Sequence, residues 1–205
     1  MIYANTNQEL GLLDRGFKLI CGIDEAGRGP WAGPVVAGCV AFDNLKDLPQ
    51  VNDSKKLSDK QKDRLFDWIT ANMDYGVGIV DQDIIDDINI LNATKLAMKL
   101  AVDNLSNYPD YLLIDAVNLY KEVPIIQENI IRGDEKVWSI AAASIIAKVT
   151  RDRLMIDYHL KYPEYSFDRH KGYGTKIHQE ALCKYGICPI HRKSYKPVIK
   201  IMNSK

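Results

Sequence analysis

Gly22-Ile23-Asp24-Glu25-Ala26-Gly27-Arg28-Gly29-Pro30 carries two adjacent carboxylates straight off an apolar strand into a glycine-rich turn. Upstream, Leu19 to Ile23 reads as a short buried strand, and downstream Gly33 to Phe42 reads as a second. The acids therefore stand at the end of a core element. Ionised carboxylates are costly to desolvate, so the pair must be offset by a basic side chain, by protonation or by a metal cation. A purely local reading is also open, with Asp24 capping the turn and Glu25 pairing with Arg28.

At 205 residues and 46% hydrophobic composition, the chain has enough apolar material for one sizeable core. Charge interrupts every apolar stretch well before ~18 residues, and Met1-Ile2-Tyr3-Ala4-Asn5 has no basic start followed by an apolar run. The expectation is a soluble cytoplasmic monomer without a membrane span. Cys21, Cys39, Cys183 and Cys188 are scattered and form no Cys-x-x-Cys, so they read as reduced core thiols. The spacing of Cys183, Cys188 and His191 matches no common zinc pattern.

Net charge is zero over the whole chain, yet residues 169–205 hold nine Lys or Arg against one acid, Glu180, a net of +8 on that segment. An acidic body with a basic C-terminal segment suits a polyanionic partner, because Lys and Arg that neutralise phosphates release condensed counterions.

Between these ends the pattern predicts a helix over 59–73 with Ser58 as its N-cap and Leu65, Trp68 and Ile69 as its apolar stripe. A strand over 75–80 follows, ended by the acidic run 81–87. Apolar residues from Leu91 to Leu105 keep helical spacing until Asn107-Tyr108-Pro109. Tyr111 to Ile114 is a continuous apolar strand ending in Asp115, and Pro124 to Ile131 is a fifth strand, followed by Gly133-Asp134. Residues 138–162 read as one long helix with Ile140, Ala143, Ala147, Leu154 and Tyr158 inward, and its small residues Ala141, Ala142, Ala143, Ser144 and Ala147 permit close approach to a sheet. Further helices are predicted near 175–185 and at the C-terminus. The fold class is α/β, a mixed five-stranded sheet flanked by helices in a single domain over 1–205.

Asp24 and Glu25, Asp115, and Asp134 are all delivered at or just past strand ends. If the first and fourth strands are parallel neighbours, Asp24 and Asp115 come side by side. Oxygen-only ligands favour Mg²⁺ or Mn²⁺ over zinc. Two such ions can stabilise both the attacking and the leaving oxygen of a phosphoryl displacement. Gly27, Gly29 and Gly33 match neither a dinucleotide fingerprint nor a P-loop, but their backbone can touch a sugar or phosphate directly.

Six segments together resemble the ribonuclease HII family over nearly the whole chain: Gly22 to Pro30, Asn52-Asp53-Ser54-Lys55-Lys56-Leu57, Leu113-Ile114-Asp115, Gly133-Asp134, Ala142 to Asp152, and His170-Lys171-Gly172-Tyr173-Gly174-Thr175. The resemblance implies a ribonuclease H-like fold and places the metal-binding, catalytic acids on Asp24, Glu25, Asp115 and Asp134. It implies hydrolysis of RNA within RNA-DNA hybrids and incision 5′ to single ribonucleotides in duplex DNA, leaving 3′-hydroxyl and 5′-phosphate ends. Mg²⁺ or Mn²⁺ would be the cofactor. Gly27, Arg28 and Gly29 would contact the 2′-hydroxyl, and Tyr173 would stack on the following deoxyribose. Lys55, Lys56, His191, Arg192, Lys193 and Ser194 look like phosphate contacts, within a substrate-binding segment over 169–205. Departures are Trp31 for a more usual aliphatic residue, Ala141 for Ser, and Lys193 where two arginines are common. The extra N-terminal substrate-binding domain of the related ribonuclease HIII is not expected here. Association with a sliding clamp or a polymerase is left open by the sequence. The rival readings are another nuclease of the same superfamily and a non-catalytic nucleic-acid-binding module.

Overall fold

The apolar stretch before Asp24 forms strand β1 (Ile20–Ala26), which does not stop at the acids but carries both. It lies in a computed structural model that describes residues 3–42, 48–51 and 57–203, so Lys55 and Lys56 lie outside the described residues. Helix α1 (Asn7–Asp14) precedes β1, and β2 (Val35–Ala41), α2 (Asp59–Asn72), β3 (Tyr75–Val80) and α3 (Gln82–Asp103) follow. Then come β4 (Tyr111–Asp115), β5 (Ile126–Ile130), α4 (Trp138–Lys161), α5 (Phe167–His170), α6 (Lys176–Tyr185) and α7 (Lys196–Met202).

The five strands form one mixed sheet in the order β3-β2-β1-β4-β5. The β1–β2 and β2–β3 pairs are antiparallel, and β1–β4 and β4–β5 are parallel. The parallel register ends at Ile23 opposite Ile114, while the antiparallel register with β2 runs on to Ala26 opposite Val36. The last residues of β1, Asp24 and Glu25 among them, are thus held on one side only, beside the end of β4 where Asp115 sits.

Alternation along β1 divides the core into two. Cys21 and Ile23 join Val35, Ala37 and Cys39 in a cluster with Ala97, Met98 and Ala101 of α3. On the other face α4 lies unusually close: a Cβ on Gly22 would meet the Ser139 carbonyl carbon at 2.2 Å, and one on Gly38 the Ala143 carbonyl oxygen at 2.4 Å. The small residues of α4 serve this approach. Residues 138–147 are buried without exception, with α2 packed beyond them. Further along α4 the buried position is Met155, not the expected Leu154, which is only half-buried.

Two elements differ from the sequence expectation. The acidic run 81–87, read only as the end of the third strand, begins α3 well before the helical spacing that starts at Leu91, because Asp81 Oδ1 accepts from the amides of Asp83 and Ile84 at 3.1 Å. Asn89, at φ 67°, then breaks the helix and restarts it by accepting from the Leu91 and Asn92 amides. Helix α1 was not anticipated. Its buried Glu9 accepts from the Ser139 amide at 2.8 Å, supplying the cap that α4 lacks within its own sequence. No helix among the described residues is long and apolar enough to cross a membrane.

Candidate active site

All four acids line one cavity of about 260 Å³. Asp24 and Glu25 come from β1, Asp115 from the end of β4, and Asp134 from a short 3₁₀ turn, Gly133–Glu135. That turn is docked on β4 by the Gly133 amide, which donates to Asp115 Oδ1 at 3.0 Å. Consecutive strand residues point to opposite faces, yet Asp24 and Glu25 both reach the cavity because it lies at the free end of β1, where β4 no longer pairs.

The electrostatics are unbalanced. Asp24 is 6% exposed, and its carboxyl is pushed well above the usual carboxylate range, first by burial and then by the Glu25 charge. A hydrogen bond from Ser144 opposes this shift, and the Asp115 charge adds to it. Glu25 is also raised, by burial, in spite of Arg28, whose Nη1 lies 3.2 Å from Glu25 Oε1. The Glu25–Arg28 pair of the purely local reading is therefore present, while Asp24 Oδ1 accepts the Glu25 amide at 2.7 Å within β1 and not an amide of the glycine turn. They do not neutralise the pair.

Glu25 Oε2 is buried with no hydrogen-bond partner. A buried acceptor without a partner, beside carboxylates that repel one another, fits a hard divalent cation held by oxygen ligands. Among the described residues, however, no three His, Cys, Asp or Glu side chains are already gathered into a coordination shell. The acids line the cavity without closing on its centre.

The glycine-rich turn forms a second wall. Gly27 has φ +98°, and a Cβ there would meet Arg151 Nε at 2.1 Å, so both conformation and space demand glycine. Gly29 is different: a Cβ would only touch Tyr173 Cε1 at 3.6 Å, which places the tyrosine ring directly over the turn. Tyr173 is 47% exposed at the cavity rim. Two successive left-handed residues, Lys171 and Gly172, throw it into that position.

Two buried arginines hold this wall from behind. Arg151 donates to the carbonyls of Pro34, Lys171 and Ala32 at 2.9 to 3.1 Å, and burial lowers it to about 10. Arg192 donates to Gly27, Arg28, Gly33 and Pro34 carbonyls and to the Tyr195 hydroxyl. At 0% exposure it has no face toward a phosphate, which corrects its reading as a phosphate contact. His191 is likewise fully buried.

Lys193 and Ser194 are exposed but do not line the cavity. Their amides, and the Ser194 hydroxyl, donate to the Asp86 carboxylate at 2.6 to 2.9 Å. Cys183 is exposed, while Cys188 is buried with its Sγ 3.1 Å from His191 Nδ1.

Three polar lining residues were not singled out as site residues from sequence: Ser144, Lys148 and Arg151. Their spacing of four and three along α4 is the signal that could have found them, since it puts all three on one helical face. Lys148 is paired with Asp152 at 2.6 Å, and burial lowers it below the usual lysine value.

The family model described as Ribonuclease HII matches residues 21–198. Ribonuclease HII of Acetivibrio thermocellus is 59% identical over 182 residues, covering 88% of this chain and 71% of that protein. Among solved structures, the ribonuclease H2 from Pyrococcus horikoshii OT3 superposes with a TM-score of 0.77 at 29% identity, over 91% of this chain and 98% of that one. The PCNA:RNase HII complex from Archaeoglobus fulgidus gives 0.73 at 25% identity, over 87% and 96%.

Proposed function

The chain belongs to the ribonuclease HII family and is an endoribonuclease, and from that premise we propose that it incises the strand 5′ to a ribonucleotide, in RNA-DNA hybrids and at single ribonucleotides embedded in duplex DNA. The observation that carries this reading is the meeting of four carboxylates from three separate elements in one cavity walled by Gly27–Gly29 and Tyr173.

Asp24, Glu25, Asp115 and Asp134 are the residues that would hold divalent cations, Mg²⁺ or Mn²⁺. When bound, such a pair supplies an activated water and charge stabilisation on the leaving 3′ oxygen. The protein's part is to present the ligands. Burial keeps Asp24 and Glu25 from being satisfied by solvent, so their unspent acceptor capacity is directed into the cavity. Arg28 orients Glu25 through one oxygen and leaves the other open.

On the substrate side, backbone groups of Gly27, Arg28 and Gly29 would read the 2′-hydroxyl, the group that separates RNA from DNA. Arg192 fixes that backbone in advance through the Gly27 and Arg28 carbonyls, Arg151 holds the Lys171 carbonyl two residues before Tyr173, and Tyr173 would stack on the sugar that follows. Residues 169–205 form the basic substrate-binding segment of a single domain, with exposed Lys193, Lys196 and Lys200 toward the phosphates. Unpaired thiols and a nucleic-acid substrate fit a cytoplasmic monomer. A sliding clamp is the protein partner to test, on the strength of the Archaeoglobus fulgidus complex.

The decisive experiment is incubation of a DNA duplex bearing one ribonucleotide with the protein and Mg²⁺ or Mn²⁺, followed by mapping of the nick. A single incision on the 5′ side of the ribonucleotide with 3′-hydroxyl and 5′-phosphate ends is expected. Incision of all-DNA branched duplexes at equal rate would favour another nuclease of the superfamily, and metal-independent binding without cleavage would favour a non-catalytic module.

A further inference from the structure

Three imidazoles lie behind Tyr173, and their hydrogen bonds have a fixed direction. His191 Nδ1 lies 2.9 Å from the Cys188 amide and 3.2 Å from the Cys188 carbonyl; in the arrangement that satisfies the closer amide, Nδ1 accepts and the proton of neutral His191 is on Nε2. His191 Nε2 stands 3.0 Å from His178 Nε2, which must then accept. His178 consequently carries its proton on Nδ1 and donates it to the Tyr173 carbonyl at 3.0 Å. With the Cys188 amide as first donor, the order Cys188 amide, His191, His178, Tyr173 carbonyl runs in one direction.

The third ring supports the same loop. His170 stacks on His178 with centroids 4.6 Å apart and planes 14° apart. Its Nδ1 accepts the Gly172 amide at 3.2 Å, and its Nε2 lies 2.7 Å from the Tyr165 carbonyl. His178 and His191 are completely buried. Imidazoles with this degree of enclosure, joined in one directed chain, do more than fill space, because an apolar side chain of similar volume would fill it without polar partners. The other anchor of the Tyr173 carbonyl is the Thr175 amide at 2.8 Å, from the loop's own turn. Gln179 Nε2 also holds the Gly174 carbonyl at 3.0 Å, and the Trp31 amide holds that of Gly172 at 2.8 Å; His178 is the buried side chain of α6 that ties the Tyr173 carbonyl itself.

We propose that His178, held in one tautomer by His191, is a positioning residue that sets Tyr173 over the Gly27–Gly29 turn and thereby sharpens discrimination of a ribonucleotide-deoxyribonucleotide junction from a continuous hybrid. The inference rests on the reading of Tyr173 as the group that stacks beyond the scissile ribonucleotide. Loss of the Nδ1 donor releases the carbonyl next to the ring's own Cα, so the tyrosine samples positions away from the turn. The chemistry at the acids is untouched.

The test compares the parent and four purified variants on two substrates, a duplex with one embedded ribonucleotide and a continuous RNA-DNA hybrid, in saturating Mg²⁺. His178→Phe keeps an aromatic ring but loses both hydrogen bonds. His178→Asn places an amide nitrogen where Nδ1 stood and keeps the donor to Tyr173. Tyr173→Ala removes the ring, and the fourth protein combines Tyr173→Ala with His178→Phe. His178→Phe should lower the junction-to-hybrid rate ratio by about three- to tenfold, the loss expected for one hydrogen bond. His178→Asn should restore most of the ratio, which a merely structural role for the ring would not predict. The double variant should match Tyr173→Ala alone.

If Tyr173→Ala changes the ratio while His178→Phe leaves it as in the parent, the positioning proposal fails and the Tyr173 reading stands. If Tyr173→Ala leaves the ratio unchanged, the Tyr173 reading itself fails. Should His178→Phe not fold, His178→Gln, which lacks a donor at the δ position, takes its place, and equal ratios for Gln and Asn overturn the proposal.

Discussion

Arg192 Nη2 donates to the Gly27 carbonyl at 2.6 Å, so a guanidinium from near the end of the chain holds the turn that follows the two acids. One ammonium cannot reproduce five donors in a planar fork. Arg192→Lys should leave several buried carbonyls short of a partner and lower stability by roughly 3 kcal/mol. Urea denaturation checks this, and an unchanged midpoint would show that these bonds contribute nothing net. The slope of substrate affinity against salt should stay as it was, because this residue does not reach a phosphate.

Lys193 and Lys196 behave in the opposite way. Their side chains are exposed, and Lys193 is anchored through its own amide by Asp86. Lys193→Gln and Lys196→Gln should each reduce the magnitude of the salt slope by about 1 while leaving the melting temperature within a degree or two. Binding measured across a salt series decides the matter, and parallel lines for variant and parent would remove these lysines from the interface.

Asp24→Asn should slow cleavage roughly a thousandfold, a loss of about 4 kcal/mol in transition-state stabilisation, with the fold intact. The same substitution should make the metal-free protein more stable at neutral pH. The sign follows from the raised carboxyl: ionising it inside the fold is unfavourable, so its contribution is fully present below the ordinary carboxylate value of 3.8 and is lost as pH rises through the folded-state value. Thermal melts in EDTA should show the parent losing stability with rising pH more than the variant. Mg²⁺ should then raise the melting temperature of the parent and do little for Asp24→Asn.

The buried imidazoles give acid sensitivity of the other sign. Burial lowers His178 and His191 to about 4 from 6.5, so the folded state holds them neutral where the unfolded chain takes up protons. Stability from these rings is complete above pH 6.5 and declines as pH falls toward 4, by on the order of 3 kcal/mol for such a shift. Melts between pH 7 and 4 should show this decline flattened in His178→Phe. A parallel decline in both proteins would assign acid sensitivity to other groups.

The sheet and the acids were legible because their signals are local. An apolar run ending in acid marked β1 and β4, and the small residues of α4 announced the close approach that Gly22 and Gly38 complete. The start of α3 was missed because a capping aspartate followed by acids looks like the end of a strand until the amides of Asp83 and Ile84 are seen to need it. Arg192 was misread for a deeper reason. A charged residue in a basic segment looks solvated, and the carbonyls that satisfy it lie 158 to 165 positions away in sequence. The partnership of His170, His178 and His191 likewise becomes visible only when α5, α6 and the following loop converge.

The carriers of the four carboxylates differ in how firmly they are built in. Asp24 and Glu25 ride on the central strand, whose backbone is pinned against the Ser139–Ile140 peptide of α4. Amide deuteration there should require opening of the whole domain. Asp134 rides on a three-residue turn entered through left-handed Arg132 and docked on β4 by the bond from the Gly133 amide to Asp115. A short turn beside a central strand should open at lower free energy than the sheet. Cation loading would therefore act as an ordering event confined to one side of the site, slowing deuterium uptake at 132–136 and leaving residues 20–25 at the rate set by global unfolding.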